Sequence, residues 1–212
     1  MDDVRVAFLE AAAGAAILLG RSEMADHWNE ASILPGFTIS GLAGHLLRGM
    51  KTVEKYLDGS VPDGESISAA EYYVSIAITA DISSPLNRDV RSRGDEEAII
   101  GSHAVAIEVQ ALLKRLRARL VTETFDRRLQ VLGDLVINLD EYLRTRVVEL
   151  VIHTEDLALS VCLPDVTQVA PAVATVAINT LVDLARLRHG DGAVLKALAR
   201  RERDTVNALR VL

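Results

Sequence analysis

The chain has 212 residues, half of them hydrophobic but 4% aromatic, and a formal net charge of −7; this length suits one generous domain or two small ones. The acidic balance excludes the electrostatic footprint of a DNA- or RNA-binding protein, and no run reaches the roughly 18 uncharged apolar residues of a membrane span. An acidic Met1-Asp2-Asp3 start, unlike a secretory signal, and the single cysteine, Cys162, lead us to expect a cytoplasmic protein in a reducing compartment.

Val4, Phe8, Ala11, Ala15 and Leu18 recur at steps of four and three, which predicts an amphipathic helix over residues 3 to 20 with Gly20 as its stop. The Leu34-Pro35-Gly36 breaker follows Trp28. Thr38 is then placed to cap a second helix that runs to about Leu57 and is ended by Gly59, with Leu42, His45, Leu46, Gly49, Val53 and Tyr56 as its inward stripe. Two polar stretches, Gly59 to Ser68 and Ser83 to Asp95, read as loops. Between them a helix is predicted from Ala69 to Ala80. A longer one is predicted from about Glu96 to Val121, with Ile100, Ala104, Ile107, Ala111, Lys114 and Leu116 on its partly apolar face.

Residues 128 to 138 alternate around Gly133-Asp134 and predict a short β-hairpin. Asn138 and Glu141 have the spacing of a capping box, which opens a central helix over 139 to 161 closed by Pro164. Pro171 marks the start of a further helix ended by Gly190, and Asp191 is placed to cap a last helix through Arg203. The expected architecture is all-α, a four-helix bundle with additional C-terminal helices: 1–165 as the bundle, 166–212 as an extension packed on it. Cys162, among Leu, Val and Pro, reads as a small buried hydrophobe.

The central helix carries a polar seam inside its apolar surface. Tyr142, Arg146, Glu149, His153, Asp156 and Ser160 are spaced four, three, four, three and four, and so share one face. Glu149 and His153, one turn apart, can reach one ion; His45 supplies a third donor from the inward stripe of the second helix. A buried carboxylate needs a partner, and a divalent metal also satisfies adjacent imidazoles. Two histidines and a carboxylate leave a fourth position open, as catalytic zinc sites do. Glu-x-x-x-His also occurs as an exposed helix pair, so spacing by itself leaves both readings open. Asp156 reads either as an acceptor that fixes a ligand imidazole or as part of a helix-end ion pair. Arg146 reads either as a substrate-carboxylate anchor or as the partner of a nearby acid. His27 and His189 read as surface residues, as does His103, although its helix could bring it towards the site. Arg200-Arg201-Glu202-Arg203-Asp204 reads as a solvated helix end.

Two segments carry a resemblance: Leu34-Pro-Gly-Phe-Thr-Ile-Ser-Gly-Leu-Ala-Gly-His-Leu-Leu-Arg48 and Tyr142-Leu-Arg-Thr-Arg-Val-Val-Glu-Leu-Val-Ile-His-Thr-Glu-Asp-Leu157. They resemble the two signatures of the mycothiol-dependent maleylpyruvate isomerase N-terminal family, DinB-like metal-binding four-helix bundles of actinobacteria. The resemblance covers about residues 5 to 165. It implies that His45, Glu149 and His153 are the metal ligands, that zinc is the usual ion and that mycothiol is the thiol cosubstrate. Phe37 stands where the family usually has Trp, and no stretch resembles the sterol-carrier-like domain that supplies an active-site arginine in the isomerase. A stand-alone zinc-dependent thiol S-transferase is therefore expected, in which a metal-bound thiolate attacks a small electrophile. A metal-dependent hydrolase using Asp156 or His103 as base, and a non-catalytic metal- or ligand-binding stress or regulatory protein, are the alternatives. The expected partners are a low-molecular-weight thiol and a small electrophile, with neither nucleic acid nor membrane; a homodimer is compatible with each reading.

Overall fold

Alanine-rich helices pack closely, and the first of them, α1 (Asp3–Leu19), buries Val4, Phe8, Ala15 and Leu18 as its periodicity predicts. The computed structural model describes residues 3–76, 84–163 and 169–212. Among them the chain is all-α apart from one two-stranded sheet. A short α2 (Ser22–Asp26), absent from the sequence reading, sends Met24 into the core. Thr38 then accepts a hydrogen bond from the Gly41 backbone N–H and opens α3 (Ile39–Leu57), satisfying one of the four free donors of a helix start.

The polar chain from Gly59 leads to α4 (Ala69–Ser75), whose start is fixed by a reciprocal Ser68–Glu71 capping box. The predicted continuation to Ala80 lies in part outside the described residues. The loop expected over Ser83 to Asp95 is instead a helix where it is described. Ser84 caps α5 (Pro85–Ala98), and Pro85 occupies its first turn, where a missing N–H costs nothing. Its polar composition hid it, because α5 is held through two glycine contacts rather than an apolar stripe. A Cβ on Gly44 would stand 2.0 Å from the Gly94 carbonyl oxygen, and one on Gly94 would stand 2.5 Å from that of Gly41. The backbones of α3 and α5 can approach this closely because no side chain intervenes. Glu97 fastens the contact by accepting from Lys51 at 2.7 Å.

The next helix, α6 (Ser102–Thr122), begins after Gly101, six residues later than expected. Glu96 belongs to α5. The buried face of α6 is Val105, Val109, Leu112, Leu116 and Leu120, whereas Ile100 and Ile107 are exposed, so the predicted face was rotated and shares Leu116 with the observed one. The hairpin is present as β1 (Arg128–Gln130) and β2 (Val136–Asn138), antiparallel with Leu129 opposite Ile137 and both side chains buried. Gly133, at φ +67°, takes the left-handed turn position that an L side chain resists.

The sheet leads directly into α7 (Leu139–Ser160). Asn138 makes no side-chain cap there. Glu141 instead accepts from the Ala69 backbone N–H at 2.8 Å and from Arg144 at 3.1 Å, tying the start of α4 to α7. Cys162 follows α7 exposed, at φ +58°, and is not a buried hydrophobe; the predicted stop at Pro164 lies outside the described residues. Helix α8 (Pro171–His189) starts at its proline, and α9 (Asp191–Ala199) ends before a 3-10 turn at Arg201–Arg203. Gly190, not Asp191, is the N-cap of α9, and Asp191 accepts from Arg186 at 2.7 Å.

Helix α1 packs on α6 and α7, and α3 packs on the same two, so the bundle runs α1–α6–α3–α7 around one core. Helix α8 lies across α1, α4 and α7. Arg5 of α1 is buried at the join: it pairs with Asp140 at 2.7 Å and donates to the carbonyls of Leu120, Glu123 and Thr124 at 2.8–3.0 Å. One side chain thereby satisfies carbonyls at the end of α6 that the helix itself leaves free.

Candidate metal centre

The α3–α7 contact determines what faces what. His45 lies on the inward stripe of α3, and Glu149 and His153 lie one turn apart on the facing side of α7. One oxygen of Glu149, Oε2, stands 3.2 Å from His45 Nε2 and 3.5 Å from His153 Nε2. One donor atom from each of the three residues lies within 4.8 Å of the others. The two imidazoles meet edge to face, with centroids 5.1 Å apart, and Phe37 packs 6.0 Å from the His45 ring just ahead of the Thr38 cap.

Asp156 accepts from His153 Nδ1 at 3.0 Å. Holding a proton on Nδ1 leaves Nε2, which faces Glu149 and His45, as the nitrogen that ligates a metal once its own proton is displaced. The electrostatics of the group are polarised. Burial would lower the His153 pKa, but its contacts with Asp156 and Glu149 outweigh that and raise it to about 9. Burial likewise opposes ionisation of Glu149, yet both imidazoles and the nearby Arg146 charge hold it well below the ordinary carboxylate range. Burial dominates at His45 and lowers its pKa. Near neutrality a proton on His153 thus offsets the Glu149 charge. Two imidazole nitrogens and one carboxylate oxygen converging on one point form a suitable donor set for a divalent ion that would displace that proton.

A recess opens beside these atoms, lined by His45, Leu46, Gly49, Arg146, Glu149 and Leu150. Arg146 has no carboxylate within 4 Å among the described residues. Its guanidinium lies 5.0 Å over the Tyr142 ring, and its Nε donates to the Thr145 hydroxyl at 3.1 Å. Cation–π contact therefore stands where an ion pair was one of the two sequence readings. His103 is exposed on α6, His189 is exposed at the end of α8, and half-buried His27 pairs with Glu30 at 3.1 Å.

Sequence reasoning missed the aromatic surroundings. All four tyrosines of the chain gather here: Tyr142 contacts Tyr56 and Tyr72 edge to face, and Tyr72 contacts Tyr73. Fully buried Tyr73 reaches Glu149 Oε1 at 3.3 Å and the Thr145 carbonyl at 3.1 Å. The one available signal was scarcity, since a chain so poor in aromatics has few other places to concentrate them.

Fold and site together define a helical-bundle protein with an inward-facing His–Glu–His donor set. The family model of the mycothiol maleylpyruvate isomerase N-terminal domain matches residues 9–158, a span that includes all three donors, and the chain belongs to that family. No curated protein and no solved structure matches the chain.

Proposed function

We propose that this protein is a zinc-dependent S-transferase that joins the thiol of mycothiol to a small electrophile. The carrying observation is the convergence of His45, Glu149 and His153 beside a recess into which no fourth acidic, histidine or cysteine donor projects among the described residues. Family membership supports mycothiol as the cosubstrate. These three residues would hold the ion, which when bound lowers the pKa of a thiol entering its open position.

The chain's own groups then have distinct tasks. Asp156 keeps the proton of His153 on Nδ1. Leu46 and Leu150 exclude water from one side of the recess, which strengthens the charge interactions within it. Arg146, with no carboxylate within 4 Å among the described residues, presents a cation to the same space, suited to holding an anionic group of the electrophile. No side chain has to act as nucleophile. Cys162 is exposed beyond the end of α7, and the two candidates for a hydrolytic base are Asp156, engaged with His153, and His103, exposed on α6.

The test is conjugation of mycothiol to a chlorinated aromatic electrophile, where the S–C bond forms, chloride leaves and the thiol proton passes to solvent. With zinc-replete protein we expect a thiol-dependent rate well above the buffer reaction. A chelator should abolish it. Hydrolysis without thiol would overturn the transferase reading in favour of a hydrolase, and no turnover across several electrophiles would favour a binding protein.

A further inference from the structure

We infer that Tyr73 is a positioning residue that holds Glu149 to a metal through one oxygen and so keeps the fourth position open. This inference rests on the metal-centre reading above. The two carboxylate oxygens have separate surroundings: Oε2 faces both imidazole Nε2 atoms at 3.2 and 3.5 Å, while Oε1 faces the Tyr73 hydroxyl at 3.3 Å. A carboxylate that chelates with both oxygens occupies an additional coordination position. An oxygen that accepts a hydrogen bond from a rigid neighbour is held away from the ion.

Tyr73 is rigid for reasons that trace back to sequence. Its ring is fully buried on α4, whose start is set by the Ser68–Glu71 box and tied to α7 by the Ala69–Glu141 hydrogen bond. The phenol carries one proton to donate, and Glu149 Oε1 lies 3.3 Å from its oxygen. The Thr145 carbonyl, 3.1 Å away, shares that proton. In a regular helix, however, this carbonyl already accepts from the Glu149 backbone N–H one turn on, whereas Oε1 is a charged acceptor and competes strongly.

Cobalt(II) in place of zinc reports coordination number, because four-coordinate cobalt absorbs visible light more intensely than five-coordinate cobalt. Wild-type protein should take up one equivalent with intense visible bands, and His45→Ala should lose it. Failure at either of these steps overturns the metal-centre reading itself, and the present inference with it. In cobalt-loaded Tyr73→Phe, which keeps the buried ring, we expect the bands to weaken severalfold as Glu149 chelates. Metal affinity should also change, on the scale of about 10–100-fold typical when a ligand loses its supporting hydrogen bond. An unchanged spectrum overturns the role of Tyr73 whatever the affinity does. Should Tyr73→Phe fail to fold, X-ray absorption of zinc-loaded wild-type protein decides the point. A Glu149 carboxyl carbon at the short distance of a chelating carboxylate overturns the inference, and one at the longer distance of single-oxygen ligation supports it.

Discussion

His153 lies between two carboxylates, 3.0 Å from Asp156 and 3.5 Å from Glu149, and its pKa of about 9 makes it the proton reservoir of the site. In metal-free protein this group stabilises the fold fully below the unfolded value near 6.5 and loses its contribution as pH rises through about 9. Glu149 has the opposite sign, stabilising above the ordinary carboxylate value of 4.5 and losing that contribution as pH falls through its depressed folded value. Metal-free protein should therefore show a Tm that declines from pH 6.5 to 9. Zinc competes with the His153 proton, so zinc affinity should rise over the same interval and level off above it. Calorimetric zinc titration at pH 7 in buffers of different ionisation enthalpy should detect the released proton. A pH-independent affinity between 6.5 and 9 would mean that no proton on His153 competes with zinc there.

At the scale of elements, two joints fix the bundle. The α3–α5 crossing depends on Gly44, where a methyl group would meet the backbone oxygen of Gly94 at 2.0 Å, and backbone cannot swing aside as a flexible side chain can. Gly44→Ala should destabilise the protein by about 1–3 kcal/mol or more, measured by urea denaturation, despite the higher intrinsic helix propensity of alanine. The second joint is Arg5, through which α1 holds the end of α6 and the first turn of α7. Its side chain and that of Asp140 are 7% and 15% exposed. Arg5→Met should keep much of the packing but leave Asp140 unpaired, at a cost of about 3–5 kcal/mol. Asp140→Asn combined with Arg5→Met should recover part of that loss in the same denaturation measurement, because the uncompensated charge is then gone.

At the scale of the whole molecule, the core runs continuously through α1, α3, α6 and α7 and includes Phe8, Leu47, Met50, Leu112, Leu116 and Leu143, each fully buried. The metal site lies between two of these helices and replaces none of that apolar contact. His153→Ala should therefore abolish stoichiometric zinc uptake while leaving the far-ultraviolet circular dichroism unchanged. The rise in Tm with zinc, expected of wild type by mass action, should vanish in the variant. Loss of helical signal on chelation of wild-type zinc would instead make the site a structural one.

What the sequence determined by itself was whatever lies within one or two turns of chain. The periods of α1, α3 and α7, the Thr38 cap, the Gly133 turn and the shared face of Glu149 and His153 are local facts, set by helix and strand geometry alone. Helix α5 was missed because it docks through one glycine, Gly94, against Gly41 and Gly44 of α3, some fifty residues earlier. Pattern reading looks for apolar stripes and finds none there. The capping box expected at Asn138 failed for a similar reason: Glu141 had a better acceptor role towards Ala69, on another helix. The rest of the site, including the approach of His45 to Glu149 and of the Tyr73 hydroxyl to the same carboxylate, was decided by tertiary structure. Each depends on how two helices distant in sequence rotate and dock against each other, and that is set by the packing of the whole core rather than by any segment alone.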